Sequence, residues 1–293
     1  MRLKAYVLAA DPNWIQASVL SYYNWIDEIV VSYDSAGLSW TGYPIPTKEC
    51  LDKLVAIDSD HKMRFLAGNY HSKERTPLEN DTYQRQCAVD YFGQRADWIL
   101  QIDTDEVVPS ATAIVECLKR VPADRMAVDW PMRAFFQRVG RRKFLEVTTV
   151  FRRQLSEYPG SIATRPGVRL ERARISSMPK WVCGIQRRPY NPFFGARLLA
   201  DEVIPASFAI LHLSWVRSLK DIQRKTKSWS HATDFNCDKY CSQVWAVAPR
   251  RWPFLYNFHP VWPKLWPALK VTSIDDELIY PAIVPATSPS DES

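Results

Sequence analysis

Short apolar runs alternate with amphipathic segments along the first half of the chain. The run "LKAYVLA" at 3–9 has the length of a buried strand, and "EIVVSYD" at 28–34 is a second run rich in β-branched residues. Between them, Pro12 stands where the first turn of a helix is expected, and apolar residues follow it at helical spacing. A strand, a helix and a strand of this combined length form a βαβ unit, so we expect the two strands to be parallel neighbours.

The same alternation continues further along the chain. Helical patterns over 47–57 and 78–95 flank a third predicted strand, and "WILQID" at 98–103 predicts a fourth. Ser110 is a suitable N-cap for the helix that follows. Strands that alternate with helices in this way indicate an α/β fold with helices on the faces of the sheet.

The pattern changes in the second half of the chain. The elements predicted there are extended segments at 126–136 and 145–153, Pro- and Arg-rich loops at 159–192, an apolar strand at 208–216 and a helix capped by Ser218 and Asp221. The segment 250–269 contains too much Pro and Trp for a regular element. The polar end at 285–293 is expected to be disordered.

Composition and charge restrict the class of protein. Hydrophobic residues make up 46% and charged residues 24%, which is ordinary for a soluble globular protein. The net charge of +6 comes mainly from scattered basic residues, so we expect no nucleic-acid partner. No apolar run approaches the roughly 20 residues that span a bilayer. The six cysteines lack a paired CxxC spacing, which favours reduced thiols and a cytoplasmic location.

Three acids, Asp103, Asp105 and Glu106, follow the fourth predicted strand. Asp11 and Asp34 follow the first and second strands, and ligands of α/β sheets bind beyond such strand ends. Two Asp separated by one residue can both reach Mg²⁺ or Mn²⁺, whose charge would make neighbouring carboxylates tolerable. The alternative is a solvated turn that caps the next helix. No glycine-rich phosphate loop is present, so a phosphate would be held by the metal and by basic side chains.

Several motifs together resemble those of GT-A-fold glycosyltransferases, in particular the family 2-like enzymes with an Asp-x-Asp motif. The motifs are "VLAADP" at 7–12, "VVSYDSAG" at 30–37, Arg85-Gln86, "ADWILQIDTDE" at 96–106 and "LHLSWVRSLKDIQRKTKSWSHA" at 211–232. The resemblance covers about residues 1–130 and 208–232. Two positions depart from the family pattern, since Gln86 replaces the usual Asn and "WVCGIQ" stands where many relatives have Gly-x-x-His.

The resemblance implies a GT-A-type, Rossmann-like fold with a mixed, mostly parallel sheet flanked by helices and a C-terminal extension. The predicted parts are a nucleotide-sugar-binding half at 1–130, an acceptor-side half at 131–232, an aromatic and Pro-rich extension at 233–284 and the disordered tail at 285–293. The implied activity is the metal-dependent transfer of a sugar from a UDP- or GDP-linked donor to a glycan or lipid-linked acceptor. Related enzymes often build surface polysaccharides.

Individual site residues follow from the same resemblance. The implied nucleotide-sugar contacts are Ala10, Asp11, Asp34, Arg85 and Asp103. The implied ligands of Mn²⁺ or Mg²⁺ are Asp103, Asp105 and His212, with Asp105 the more direct of the two acids. Each position has a structural alternative, because Asp34 also suits a turn, Arg85 a helix surface and His212 an apolar core.

An inverting enzyme of this class also needs a carboxylate base that deprotonates the acceptor hydroxyl. Asp201 and Glu202, in "LLADEVIPAS", stand about where relatives keep their base, and Glu171 is a further candidate. A retaining enzyme would need no such base.

Two other function classes stay open. The Asp103 motif also fits haloacid-dehalogenase-like phosphatases, in which Asp103 would be the nucleophile and Asp275-Asp276 the later acidic pair. The chain could also be a catalytically inactive GT-A module that binds a nucleotide or a glycan. The aromatic segment 250–269 suits a core-capping wrap, an acceptor-sugar platform or peripheral contact with the inner face of the membrane.

Overall fold

The computed structural model describes residues 1–191 and 196–280 of the chain. Its strands are β1 (Leu3–Leu8), β2 (Glu28–Asp34), β3 (Met63–Gly68), β4 (Trp98–Gln101), β5 (Glu106–Val107), β6 (Ala127–Asp129), β7 (Met132–Arg138), β8 (Lys143–Thr148), β9 (Ala163–Thr164), β10 (Lys180–Gly184), β11 (Tyr190–Asn191), β12 (Ala196–Arg197), β13 (Glu202–Val203), β14 (Ile210–His212) and β15 (Ala268–Ser273).

The α-helices are α1 (Ile15–Leu20), α2 (Thr47–Val55), α3 (Pro77–Phe92), α4 (Ala111–Arg120), α5 (Leu219–Ser228), α6 (Cys237–Tyr240), α7 (Ala248–Arg251) and α8 (Asp276–Ile279). A π-helical turn covers Cys241–Trp245, and 3₁₀ turns cover Tyr23–Trp25, Gly93–Arg95, Ala206–Phe208, Trp252–Phe254 and Pro263–Leu265. No helix in the described ranges is long and apolar enough to cross a membrane.

An eight-stranded sheet in the order β13-β10-β6-β9-β4-β1-β2-β3 forms the centre of the fold. Its strands β3, β2, β1 and β4 pair in parallel, as do β6, β10 and β13, whereas β9 is antiparallel to both of its neighbours. The predicted mixed, mostly parallel sheet in an α/β fold is therefore confirmed. The predicted first helix exists, although α1 begins at Ile15, three residues after Pro12.

Alternate residues of β1 separate the two faces of this sheet. Leu3, Ala5 and Val7 belong to a buried cluster that includes residues of α1, α2 and α4. Tyr6 and Leu8 belong to a second cluster, which includes residues of α3. Successive side chains of a strand point to opposite faces, so helices cover both sides of the sheet and apolar burial fixes its register.

The helices that border the site have defined starts. Thr76 and Glu79 form a capping box before α3, which has Pro77 in its first turn. Ser218 caps α5 as predicted, because its hydroxyl accepts a hydrogen bond from the Asp221 backbone N–H at 3.2 Å. Ser110 caps α4 in the same way, as predicted, at 3.3 Å. Each cap stabilises its helix by about 1 kcal/mol.

A second sheet has the order β15-β8-β7-β14-β5. It joins strands of the predicted acceptor-side half at 131–232 to β5, from the half at 1–130, and to β15, from the extension at 233–284. The short strand β14 pairs with β7 in parallel and with β5 in antiparallel orientation, which sets His212 opposite Glu106. Strand β15 places the extension at 233–284 beside β8. Residues 281–284 and the predicted disordered tail at 285–293 lie outside the described residues.

Candidate functional site

A cavity of about 710 Å³ opens beyond the carboxyl ends of β1, β2 and β4. Its walls include all seven residues that were predicted to hold a donor or a metal, namely Ala10, Asp11, Asp34, Arg85, Asp103, Asp105 and His212. The parallel strands bring Ala10, Asp11, Asp34, Asp103 and Asp105 to one edge of the sheet. Helix α3 supplies Arg85, and β14 brings His212 to the same place through its pairing with β5.

The two oxygens of Asp103 are both engaged by Arg85. The Arg85 Nη1 donates to Oδ1 at 2.7 Å and Nη2 donates to Oδ2 at 3.2 Å, while Nε binds Asp81 at 2.6 Å. Arg85 is only 5% exposed, so it is not a helix-surface residue. Burial alone would raise the pKa of Asp103, but Arg85 and Arg174 outweigh burial and lower it.

Glu106 is completely buried and forms a bidentate ion pair with Arg174. Arg174 Nη1 donates to Glu106 Oε2 and to the Gln101 carbonyl oxygen, both at 2.8 Å, and it is itself only 3% exposed. The Asp103 backbone N–H donates to the same Glu106 carboxylate at 3.0 Å. Arg174 therefore holds the shape of the loop that carries Asp103, Asp105 and Glu106, which we call the acid loop. Sequence reasoning did not identify this arginine.

Asp105 faces two basic side chains with one carboxylate oxygen and a histidine with the other. Its Oδ2 accepts from Arg217 Nη2 at 2.8 Å and from Lys225 Nζ at 3.3 Å, and Arg217 also pairs with Asp11. Burial would raise the pKa of Asp105, but Lys225, His212 and Arg217 together lower it far below its usual range. Asp105 is thus a carboxylate at any physiological pH.

His212 lies between two carboxylates. Its Nε2 is 3.9 Å from Asp105 Oδ1 and its Nδ1 is 3.6 Å from Glu157 Oε2. Burial would lower the pKa of His212, but the two acids, with Glu106, outweigh burial and raise it. The ring therefore faces the acid cluster and not the apolar core, which removes the structural alternative for this residue.

The carboxylate of Asp105 and the imidazole of His212 are suitable donors for a divalent cation. Two metal–ligand bonds of about 2.1 Å span at most about 4.2 Å, and Nε2 and Oδ1 lie 3.9 Å apart. Asp103 fits less well, because Arg85 holds both of its oxygens. In the described residues, the predicted set of Asp103, Asp105 and His212 does not bring its ligand atoms within 4.8 Å of one another. Within the predicted set, Asp105 Oδ1 and His212 Nε2 are the atoms whose separation suits a shared cation.

Asp34 anchors two loops at the cavity wall. Its Oδ1 accepts from the backbone N–H groups of Ala36 at 3.0 Å and Leu38 at 3.1 Å, and its Oδ2 accepts from that of Tyr70 at 2.9 Å. The side chain therefore has the turn role that the sequence allowed, and its predicted contact with a nucleotide stays a prediction. Ala10 also belongs to a turn, since its N–H donates to the Leu8 carbonyl oxygen.

The structure does not bring the predicted bases to the cavity. The described lining residues include neither Asp201 nor Glu202, nor Glu171. Glu202 lies on the edge strand β13, pairs with Arg120 and sits beside two cysteine thiols, while Asp201 accepts from the Val182 N–H at 2.9 Å. The sequence prediction placed Asp201 and Glu202 at the cavity, but β13 lies at the far edge of the sheet. The position of such a short strand cannot be predicted from local sequence.

The aromatic extension has two roles. Phe258, Leu265 and Trp266 pack around Trp215 in a buried cluster, as a core-capping wrap would. Other aromatic residues line the cavity, among them Trp229, His231, His259 and Trp262. Phe254 is 82% exposed, and membrane contact through this segment stays a prediction.

Several functional candidates were missed by sequence reasoning. They are Glu157, Arg174, Arg217, Lys225 and the cavity-lining His231, whose Nδ1 lies 2.7 Å from Asp234 Oδ2. Arg217 and Lys225 belong to the basic helix motif that was noticed, so their charge was a usable signal. All six cysteines are free. No protein-family model matches this chain, and no curated protein matches its sequence.

Proposed function

We propose that the chain is a GT-A-type glycosyltransferase that uses a divalent metal and a UDP- or GDP-linked sugar donor. The observation that carries the proposal is the meeting of Asp105, His212, Arg217 and Lys225 in one cavity at the carboxyl ends of parallel strands. A pair of metal ligands beside fixed positive charges suits a diphosphate, and its position follows the general rule for α/β sheets.

The residues divide the donor site by their chemistry. Asp105 and His212 would hold Mn²⁺ or Mg²⁺, and Lys225 supplies a cation beside them that can meet phosphate oxygens. When bound, the metal supplies Lewis-acid charge that neutralises the leaving nucleoside diphosphate. Arg85, Arg174 and Glu106 tie the acid loop to the sheet, which favours a preorganised position for Asp105. Asp34 shapes the wall for the nucleoside by fixing its two loops.

In an inverting reaction, the acceptor hydroxyl needs a proton acceptor within the cavity. His231 lines the cavity, and its Nδ1 is oriented by Asp234, which leaves Nε2 as the basic atom. This pair therefore takes the base role that Asp201 and Glu202 were predicted to fill. The neighbouring rings of Trp229 and Trp262 supply an apolar wall suited to a sugar acceptor.

The phosphatase alternative fits the geometry less well. Its nucleophile would be Asp103, but Arg85 donates to both oxygens of that carboxylate. The later acidic pair would be Asp275 and Asp276, neither of which is among the described lining residues, and Asp276 is bound by Arg142 at 2.8 Å. An inactive binding module keeps the same donor contacts and is distinguished by assay.

Thermal unfolding tests the proposal against a panel of UDP- and GDP-sugars, each with and without Mn²⁺. We expect one nucleotide family to raise the melting temperature only when Mn²⁺ is present. Asp105→Asn should abolish this ligand-dependent shift, whereas Asp129→Asn, a buried acid bound to Ser161 outside the lining, should keep it. Absence of any nucleotide response, together with hydrolysis of a generic phosphate ester, would establish the phosphatase instead.

A further inference from the structure

We infer that Glu157 is the positioning residue that aims His212 Nε2 at the metal site, and that Trp266 of the aromatic extension holds Glu157 in that role. This inference rests on the proposed metal-dependent function. It concerns three side chains from separate parts of the chain that form one relay with Asp105.

The distances define the relay. Trp266 Nε1 donates to Glu157 Oε1 at 2.7 Å, Glu157 Oε2 lies 3.6 Å from His212 Nδ1, and His212 Nε2 lies 3.9 Å from Asp105 Oδ1. Glu157 is only 2% exposed and Trp266 only 4%. The two oxygens of one buried carboxylate thus face two different rings, and the bond to Trp266 leaves Oε2 as the oxygen that faces His212.

The backbone fixes Glu157 relative to His212 as well. Glu157 exchanges backbone hydrogen bonds with Met132, at 2.8 and 3.0 Å, and Met132 begins β7. Strand β7 pairs in parallel with β14, which carries His212 at its end. Glu157 is therefore bridged to strand β7, which is the direct neighbour of the strand that carries His212.

The Glu157 carboxylate determines which of the two nitrogens of the neutral His212 imidazole carries the proton. Within the described ranges, the buried Nδ1 of His212 makes no hydrogen bond, and the Glu157 carboxylate is the acid that faces it. A proton on Nδ1, attracted by Glu157, leaves the lone pair of Nε2 directed at Asp105, which is the form that a metal ligand requires. Carboxylate–histidine–metal relays of this kind commonly raise metal affinity 10–100-fold.

Glu157→Gln gives a sharp prediction because Trp266 controls the orientation of the new amide. The Trp266 N–H needs the amide oxygen as acceptor, so the amide NH₂ group turns toward His212 Nδ1 and donates to it. The proton of the neutral imidazole then moves to Nε2, which can no longer bind a metal. We expect the Mn²⁺ dissociation constant to rise about 10–100-fold.

Two further variants separate positioning from simple packing. Trp266→Phe combined with Glu157→Gln frees the amide to flip, so this double variant should regain part of the lost affinity. Trp245→Phe is the matched control, since Trp245 Nε1 donates to the Trp215 carbonyl oxygen at 3.1 Å in the same aromatic cluster without contacting Glu157. We expect Trp245→Phe to leave Mn²⁺ affinity unchanged.

The experiment combines Mn²⁺ titration by electron paramagnetic resonance with ¹⁵N NMR of the His212 ring in the metal-free protein at alkaline pH. The inference is supported if His212 is protonated at Nδ1 in the wild type and at Nε2 in Glu157→Gln, and if Glu157→Gln also binds Mn²⁺ more weakly. Identical tautomers in both proteins would overturn the inference. If the wild type binds no Mn²⁺ but the tautomers still differ, the metal requirement of the proposed function fails while the positioning by Glu157 stands.

Discussion

Arg174→Met tests whether the buried Arg174 stabilises the folded conformation of the acid loop. Arg174 is 3% exposed and donates through both terminal nitrogens to Glu106, which is fully buried, and to the Gln101 carbonyl oxygen. Its removal leaves a buried carboxylate without a counter-charge. Breaking a buried pair from one side costs about 3–5 kcal/mol. We therefore expect the free energy of unfolding, measured by urea denaturation without added metal, to fall by that amount.

A double-mutant cycle separates the charge from the packing. In Arg174→Met/Glu106→Gln the buried charge is gone, while the Gln oxygen can still accept from the Asp103 N–H. This double variant should lose less stability than Arg174→Met alone, with a coupling energy of about 1–3 kcal/mol. Arg172→Met, on the exposed rim of the same segment, should change stability by no more than about 0.5 kcal/mol. A loss below about 1 kcal/mol for Arg174→Met would refute the reasoning, because the acids would then be held by something other than this arginine.

Three other predictions concern separate parts of the site. Asp34→Ala removes the acceptor of three backbone N–H groups, so we expect a loss of about 1–3 kcal/mol in urea unfolding and weaker nucleotide binding; unchanged stability would contradict its anchoring role. Lys225→Gln should weaken nucleoside diphosphate binding and flatten its salt dependence in calorimetric titrations, whereas the exposed Lys227→Gln on the same helix should do neither. Burial lowers the pKa of His259 to about 3, and its Nδ1 accepts two backbone N–H groups, so protonation costs stability as the pH falls from about 6.5 toward 3. His259→Gln should remove up to about 1.4 kcal/mol per pH unit of that decline, and equal slopes for both proteins would rule this origin out.

The first half of the fold could be predicted because its elements carry local signals. The apolar runs of β1, β2 and β4 and the helical spacing between them are readable within short windows, and parallel pairing follows from the βαβ lengths. Strands such as β9 and β13 have two residues each and carry no periodicity. Their places in the sheet depend on long-range packing, so the second half was predicted only as extended segments and loops.

The residues of the candidate site also fall into two groups, those that a local motif indicates and those that only the tertiary fold brings together. Asp105 could be found because it stands at a strand end within a short motif, and His212 because a second motif surrounds it. Arg174 lies 68 residues from Glu106 along the chain, and no local pattern indicates that the two will meet. Glu157 lies 109 residues from Trp266 for the same reason. Counter-charges and orienting groups are chosen by the tertiary fold, so they became visible only in the structure.

The proposed function depends on Asp105 and His212 as ligands of a metal that binds the diphosphate of a nucleotide-sugar. The most direct measurement is the release of nucleoside diphosphate from UDP- and GDP-sugars by the wild-type protein, with Mn²⁺ or with EDTA, beside Asp105→Asn and Asp129→Asn. We expect Mn²⁺-dependent release from one nucleotide family, its loss in EDTA and in Asp105→Asn, and its retention in Asp129→Asn. Release that persists in EDTA and in Asp105→Asn would contradict the assignment of Asp105 as a ligand.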